Sequence, residues 1–266
     1  MRVLVCVKRV PAPGAKINIT ADGQAVDSSY LAFTTSPHEE CAVEEAVRLI
    51  EAHGGESTVL TLGATAAEEQ LRYAASIGVN KCVLLPIDGA ADADSAGGSL
   101  GDWDPQRTAA AIAAAIRDLE EVDGAFDLIL FGNESADSGN FQIGIRVAHV
   151  LSRPMVNGIK GIAIEGVTAT ARRETDAGVE VYHVPMPAVL GVKEGINLPR
   201  YPTLKGRLAS KKVTVEAIAP SGEPGGQQMV TLVQTAEQTS HTIMLGNGPE
   251  AAPAVVDLLE ELGLLK

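Results

Sequence analysis

The sequence predicts an α/β fold: a doubly wound, mostly parallel sheet with an antiparallel meander on one edge and a C-terminal arm ending in a helix. Three observations predict it. Four short runs in the first half are apolar throughout, as strands covered on both faces are. Helical segments with start and stop residues lie between those runs. After Pro154 the pattern changes to polar alternation broken by tight-turn residues.

The four runs are "RVLVCV", "STVLTLG", "KCVLLP" and "FDLILFG". The first helix, "SPHEECAVEEAVRLIEAHGG", opens with Ser36, has Pro37 at its first position and Glu39 three residues after the cap, a capping box. Val43, Ala46, Val47 and Ile50 form its apolar stripe, and Gly54-Gly55 ends it. In "TAAEEQLRYAASIG" Thr65 is expected to cap, Glu68 to reply and Gly78 to terminate. "DPQRTAAAIAAAIRDLEEV" starts at Asp104-Pro105 and puts Ile112, Ile116 and Leu119 on one face. The order βαβαβαβα gives a doubly wound sheet.

"IDGAADADSAGGSLGDW" has no periodicity and reads as a mobile surface loop. Beyond Pro154, residues 159–192 hold three or four strands with turns at "EG" and "DAG", an antiparallel meander on the sheet edge. Residues 193–212 read as a basic loop, with Lys193, Arg200, Lys205, Arg207, Lys211 and Lys212 against Glu194 alone. "APSGEPGGQQM" has a linker's composition, and "PEAAPAVVDLLEELGLLK" is an amphipathic helix of the kind that packs outside its own domain. The expected division is 1–192 for the α/β domain, 193–212 for the basic loop and 213–266 for linker and arm.

Composition excludes several classes. The 266 residues carry a net charge of −13, which argues against nucleic acid as the main ligand. Cys6, Cys41 and Cys82 lie far apart in apolar runs and read as reduced core thiols. "VLVCV", closed by Lys8, is too short for a signal peptide, and no run is long enough to span a membrane, so a cytoplasmic protein is expected.

Ligands of an open parallel sheet sit beyond the carboxyl ends of its strands, at the switch point of a Rossmann-like fold. "FGNESADSGNFQIG", Phe131 to Gly144, leaves a strand there and enters a helix near Asn140 to Ile143. A helix N-terminus attracts phosphate, and Gly132, Gly139 and Gly144 allow close backbone approach. Ser135, Asp137, Ser138, Asn140 and Gln142 can bond ribose, base or phosphate. The spacing alone fits a nucleotide site and an ordinary polar loop equally. No dinucleotide glycine fingerprint, phosphate-binding Gly-Lys-Ser/Thr loop, Gly-x-Ser-x-Gly elbow or His-Glu-x-x-His pair is present. The five histidines are scattered. The chain thus has binding equipment without catalytic equipment.

Several segments together resemble the β subunit of electron transfer flavoprotein: "RVLVCVKRV", "AVEEAVRL", "FGNESADSGNFQIG", "RRETDAGVE" and "GINLPRYPTLKGRLASKK". The resemblance spans about residues 1 to 220, and the Asn-x-Pro-Arg-Tyr-Pro-Thr-Leu-Lys segment is its most specific element. It implies an electron carrier rather than an enzyme, a heterodimer with an α subunit that holds most of the redox FAD, and a structural AMP in this subunit. In electron-bifurcating relatives a second FAD takes that place. The family's AMP-contacting positions fall on Cys6, on Ser36, Pro37, His38 and Glu39, on Leu62, and on Gly132, Asn133, Glu134, Ser135, Ala136, Asp137, Ser138, Gly139, Asn140, Phe141, Gln142 and Ile143. The family often has Asn-Pro-Phe-Cys where this chain has "SPHE".

The resemblance further implies that Asn197 to Lys212 is a recognition loop for flavin-dependent dehydrogenases. Leu204 would enter a partner's pocket, with Arg200 and Lys205 among the cations that steer it. Glu174 matches a carboxylate that pairs with an arginine of α, and the loop Lys8 to Lys16 would face the flavin. Electrons would pass from dehydrogenases through α to a quinone oxidoreductase and the quinone pool. A stand-alone adenine-nucleotide-binding regulatory domain, similar to universal stress proteins, shares this sheet order but needs neither the basic loop nor the arm.

Overall fold

A computed structural model describes residues 1–87, 103–235 and 242–265. Apart from its ends at Ile87 and Trp103, the stretch read as a mobile loop lies outside these residues. The chain divides into two units, Met1–Val233 and Gln234–Lys266.

The larger unit is built on a nine-stranded sheet. Its strands are β1 (Arg2–Cys6), β2 (Glu56–Gly63), β3 (Lys81–Pro86), β4 (Leu128–Gly132), β5 (Met155–Glu165), β6 (Thr168–Thr175), β7 (Gly178–Pro185), β8 (Ala188–Val192) and β9 (Val215–Ala217). They lie in the order β7-β6-β5-β8-β4-β1-β2-β3-β9. Every pair from β5 to β9 across this order is parallel; only β5/β6 and β6/β7 are antiparallel. Helices α1 (Pro37–His53) and α2 (Glu68–Ile77) cover one face, where Val43, Val47 and Leu71 pack on Val3, Val5 and Leu130. Helices α3 (Pro105–Asp123) and α4 (Ile143–Val150) cover the other, where Ile112, Ile116 and Val147 meet Leu4, Leu60 and Ile129. Covering on both faces is why β1, β2, β3 and β4 read as unbroken apolar runs.

Of the three or four strands expected in the meander, three form it. "AVLGV" becomes β8, which runs parallel between β4 and β5, with Leu190 opposite both Leu130 and Val156. All five of its residues are buried, so it carries a central strand's composition, not an edge strand's. The meander turns are as expected, with Gly166 and Gly178 at φ +58° and +133°.

The capping box at Ser36 forms, and Asp104 caps α3 through the N–H of Arg107 at 2.8 Å. Thr65 does not cap: Thr65–Ala67 form a 3-10 turn that runs straight into α2 without a side-chain cap. The basic stretch is not all loop. Thr203 accepts the N–H of Gly206 at 3.0 Å and starts a short helix, α5 (Leu204–Ser210). A Cβ on Gly206 would lie 2.1 Å from the carbonyl oxygen of Ser76, so α5 sits directly on the end of α2. Residues 219–229 are not a free linker either: Arg107 Nε donates to Gly222 O at 3.0 Å, and the N–H of Gln227 to Asp104 Oδ2 at 3.2 Å. The smaller unit holds a 3-10 turn and α6 (Ala252–Glu261), with no buried residue in either.

Candidate functional site

β1 leads through α1 to β2 and β3 on one side, and the chain then returns to place β4 on the other. The switch point is therefore the β1/β4 edge, where the flanking crossovers diverge and leave a crevice. A cavity of about 660 Å³ opens there, within the roughly 300–1,000 Å³ of small-ligand sites. Cys6 and Leu62 end β1 and β2 in its wall, and Phe131 and Gly132 end β4.

Of the residues expected at a nucleotide site, the cavity wall contains Cys6, Glu39, Leu62, Gly132, Asn133, Glu134, Ser135, Ser138, Asn140, Phe141 and Ile143. Ser36 and Pro37 are not in the wall, and Ser36 Oγ is committed to the N–H of Glu39 at 3.2 Å. His38 is turned aside: its Nδ1 accepts the N–H of Glu194 at 2.8 Å, and its Nε2 lies 3.8 Å from Glu134 Oε1. Ala136, Asp137, Gly139 and Gln142 belong to the same loop but are not in the wall.

The loop after β4 is held by its own polar groups. The N–H of Ser135 donates to Asn140 O at 3.0 Å, and that of Gly139 to Ser135 O at 2.8 Å. Asn140 Oδ1 takes the N–H of Gln142 at 2.8 Å. The small polar residues that follow the buried strand thus close the loop among themselves. Gln142 gives α4 no side-chain cap, and Ile143 and Gly144 at its start line the cavity. A helix start without a side-chain cap, with the dipole behind it, suits an anion.

Charge is arranged unevenly around the cavity. Lys8 lies in the wall and binds Asp137 at 2.6 Å and Ser135 Oγ at 3.3 Å. Burial opposes ionisation of Asp137, yet the Lys8 ammonium and hydrogen bonds, Ser135 among them, hold its carboxyl below the usual range. Glu39 is different. Its Oε2 accepts the N–H of Ser36 at 3.0 Å, but burial dominates and pushes the carboxyl up to about 7. Burial, and then the nearby Glu39, push the Cys6 thiol well up, so it is an inert wall rather than a nucleophile.

The wall also contains residues that strand-end reasoning missed: Lys8, Asp104, Trp103, Asn157 and the run Gln227 to Met229. Lys8 had a signal, lying two residues beyond Cys6. The others come from chain-distant elements, and nothing local marks them.

On a separate surface, Leu204 is 76% exposed at the first position of α5, with Leu198, Tyr201 and Leu208 also exposed nearby in sequence. Lys205 is exposed beside Leu204. Arg200 is turned inward onto α1, where its guanidinium binds Glu44 at 2.9 Å and Glu51 at 2.6 Å. Asn197 Nδ2 donates to Cys41 O and Glu45 Oε2, both at 2.9 Å. Glu174, largely exposed near the β6/β7 turn, meets Lys160 at 2.8 Å. Among the described residues no His/Cys/Asp/Glu cluster could hold a metal, and no helix is long and apolar enough to cross a membrane.

Comparison with known proteins adds an independent line. Residues 26–222 match the model of the electron transfer flavoprotein domain. The chain is 35% identical to "Electron transfer flavoprotein subunit beta" of Syntrophomonas wolfei, over 82% of this chain and 80% of that one. It is 32% identical to the protein of the same name from Bacillus subtilis, over 82% and 79%. "Protein FixA" of Azorhizobium caulinodans is 28% identical over 96% of this chain and 91% of its own.

Proposed function

The chain belongs to the electron transfer flavoprotein β-subunit family, and from that premise we propose that it is the β subunit of a heterodimeric electron carrier with an AMP in the β1/β4 cavity. The observation that carries the nucleotide is the donor set at that edge: Lys8, Ser135, Ser138, Asn140 and the uncapped start of α4 converge on one cavity. Hydroxyls, an amide, a cation and a helix start are what a ribose phosphate needs. Leu62 and Phe131 supply apolar wall for a base.

The α partner holds most of the FAD, which supplies the electron chemistry when bound. This chain's residues do something else. The 131–144 loop and α1 hold the nucleotide and exclude water. Leu204, carried on α5, docks flavin-dependent dehydrogenases, with Lys205 steering. Glu174 contacts α. The tail beyond residue 233 packs on α. Electrons leave towards a quinone oxidoreductase and the quinone pool, in the cytoplasm.

A second reading puts a further FAD in the same site. One observation favours it: the cavity, at about 660 Å³, is larger than an adenylate alone fills. Denaturing the complex purified with its partner and separating the released nucleotides by chromatography distinguishes the two. The expected result is one FAD and one AMP per heterodimer; two FAD and no AMP support the second reading, and no adenine nucleotide beyond the flavin of α overturns both.

A further inference from the structure

Residues 219–233 have a linker's composition but are pinned at both ends. At the near end, buried Asp104 accepts two N–H groups: Oδ1 takes that of Arg107 at 2.8 Å, the cap of α3, and Oδ2 takes that of Gln227 at 3.2 Å. Arg107 Nε donates to Gly222 O at 3.0 Å. The backbone passes so close that a Cβ on Gly225 would lie 2.3 Å from Asp104 Oδ2 and 2.6 Å from Gln106 Cβ. At the far end, the N–H of Leu232 donates to Gly23 O at 2.8 Å and Gln24 Nε2 to Val230 O at 3.1 Å. Between these anchors, Gln227, Gln228 and Met229 line the cavity.

We propose that this strap is a wall of the nucleotide site, that Gln227, Gln228 and Met229 contact the base end of the bound nucleotide, and that the Asp104–Gln227 hydrogen bond latches the wall in place. The inference rests on the nucleotide reading above. The charges decide which end of the ligand the strap meets. The wall's phosphate-attracting groups, Lys8 and the start of α4, belong to elements other than the strap. On the strap side the carboxylate of Asp104 lies in the wall and repels phosphate. The strap itself brings two carboxamides and a thioether, and Trp103 adjoins Asp104 in the wall. That is a lining for a flat, neutral ring with a hydrogen-bonding edge. Lifting the strap opens this side of the cavity, so the latch governs release.

Asp104→Asn isolates the latch. Asparagine caps a helix as well as aspartate does, but its NH₂ cannot accept the N–H of Gln227. The complex, stripped of nucleotide and reloaded with a fluorescent N-methylanthraniloyl-AMP, is chased with unlabelled AMP while hydrogen exchange is followed over residues 222–233. Losing a hydrogen bond to a buried charge predicts release at least about tenfold faster, with faster exchange in the strap and unchanged exchange in α3. Gly225→Val, whose side chain must push the strap off Asp104, serves as the second variant. Faster strap exchange with an unchanged release rate in either variant overturns the inference while leaving the nucleotide reading standing. Failure of the unmutated complex to bind the analogue overturns the nucleotide reading, and the inference with it.

Discussion

Ser36 and Glu39 hold each other: Ser36 Oγ accepts the N–H of Glu39 at 3.2 Å, and Glu39 Oε2 accepts the N–H of Ser36 at 3.0 Å. The motif that starts α1 therefore also fixes a carboxyl in the cavity wall. An exposed capping box leaves its acid solvated; this one buries it beside Cys6.

Burial raises Glu39 to about 7 from an ordinary 4.5. Folding thus favours the protonated form. Its contribution is complete below pH 4.5 and is lost as pH rises through about 7, by at most about 3 kcal/mol. Glu39→Gln keeps the shape and removes the titration. Urea denaturation across pH 4.5–7.5 should show the variant gaining on the parent as pH rises. A stability difference that stays flat across that window refutes the assignment.

Gly132 ends β4 under α1, where a Cβ would lie 2.8 Å from Glu39 Cγ and 3.3 Å from Glu39 N. Gly132→Ala should cost about 1–3 kcal/mol through this overlap and lower nucleotide content. Thermal melts and nucleotide assay of the same preparation check it; a variant as stable and as fully loaded as the parent contradicts the close approach.

Arg200 clamps the segment before α5 onto α1 through buried Glu44. Arg200→Ala strands that carboxylate and should cost about 2 kcal/mol. Arg200→Lys should recover little, since an ammonium cannot span Glu44 and Glu51 as a planar fork does. Full rescue by lysine in chemical denaturation shows that charge alone matters.

Leu204 is three-quarters exposed, so Leu204→Ala should change stability by less than about 0.5 kcal/mol. As a docking anchor its loss should slow electron transfer from the dehydrogenase about tenfold while flavin content stays the same. Stopped-flow kinetics with an unchanged rate would remove Leu204 from the docking role.

Much of the fold was legible because its determinants are local. Unbroken runs such as "VLVCV" mark strands covered on both faces, and Ser36-Pro37-Glu39 and Asp104-Pro105 mark helix starts. The 131–144 edge was legible from chain order alone. β8 was misread because its parallel place between β4 and β5 depends on partners some 30–60 residues away, while the turns before it are hairpin turns. Thr65 has a cap's sequence, but the chain tightens into a 3-10 turn there. Arg200 was read as a cation for partners because two acids on α1, buried Glu44 and exposed Glu51, are invisible in a local basic stretch. The strap was hidden by its composition. Its glycines read as flexibility, although Gly225 is there for close approach to Asp104.

At 17 residues, α1 is a rod about 25 Å long with two attachments. Its first turn forms part of the cavity wall, and Glu44 and Glu51 further along grip the arginine that precedes α5. Pocket wall and outward-facing segment thereby share one rigid support, so a change that loosens α1 reaches both.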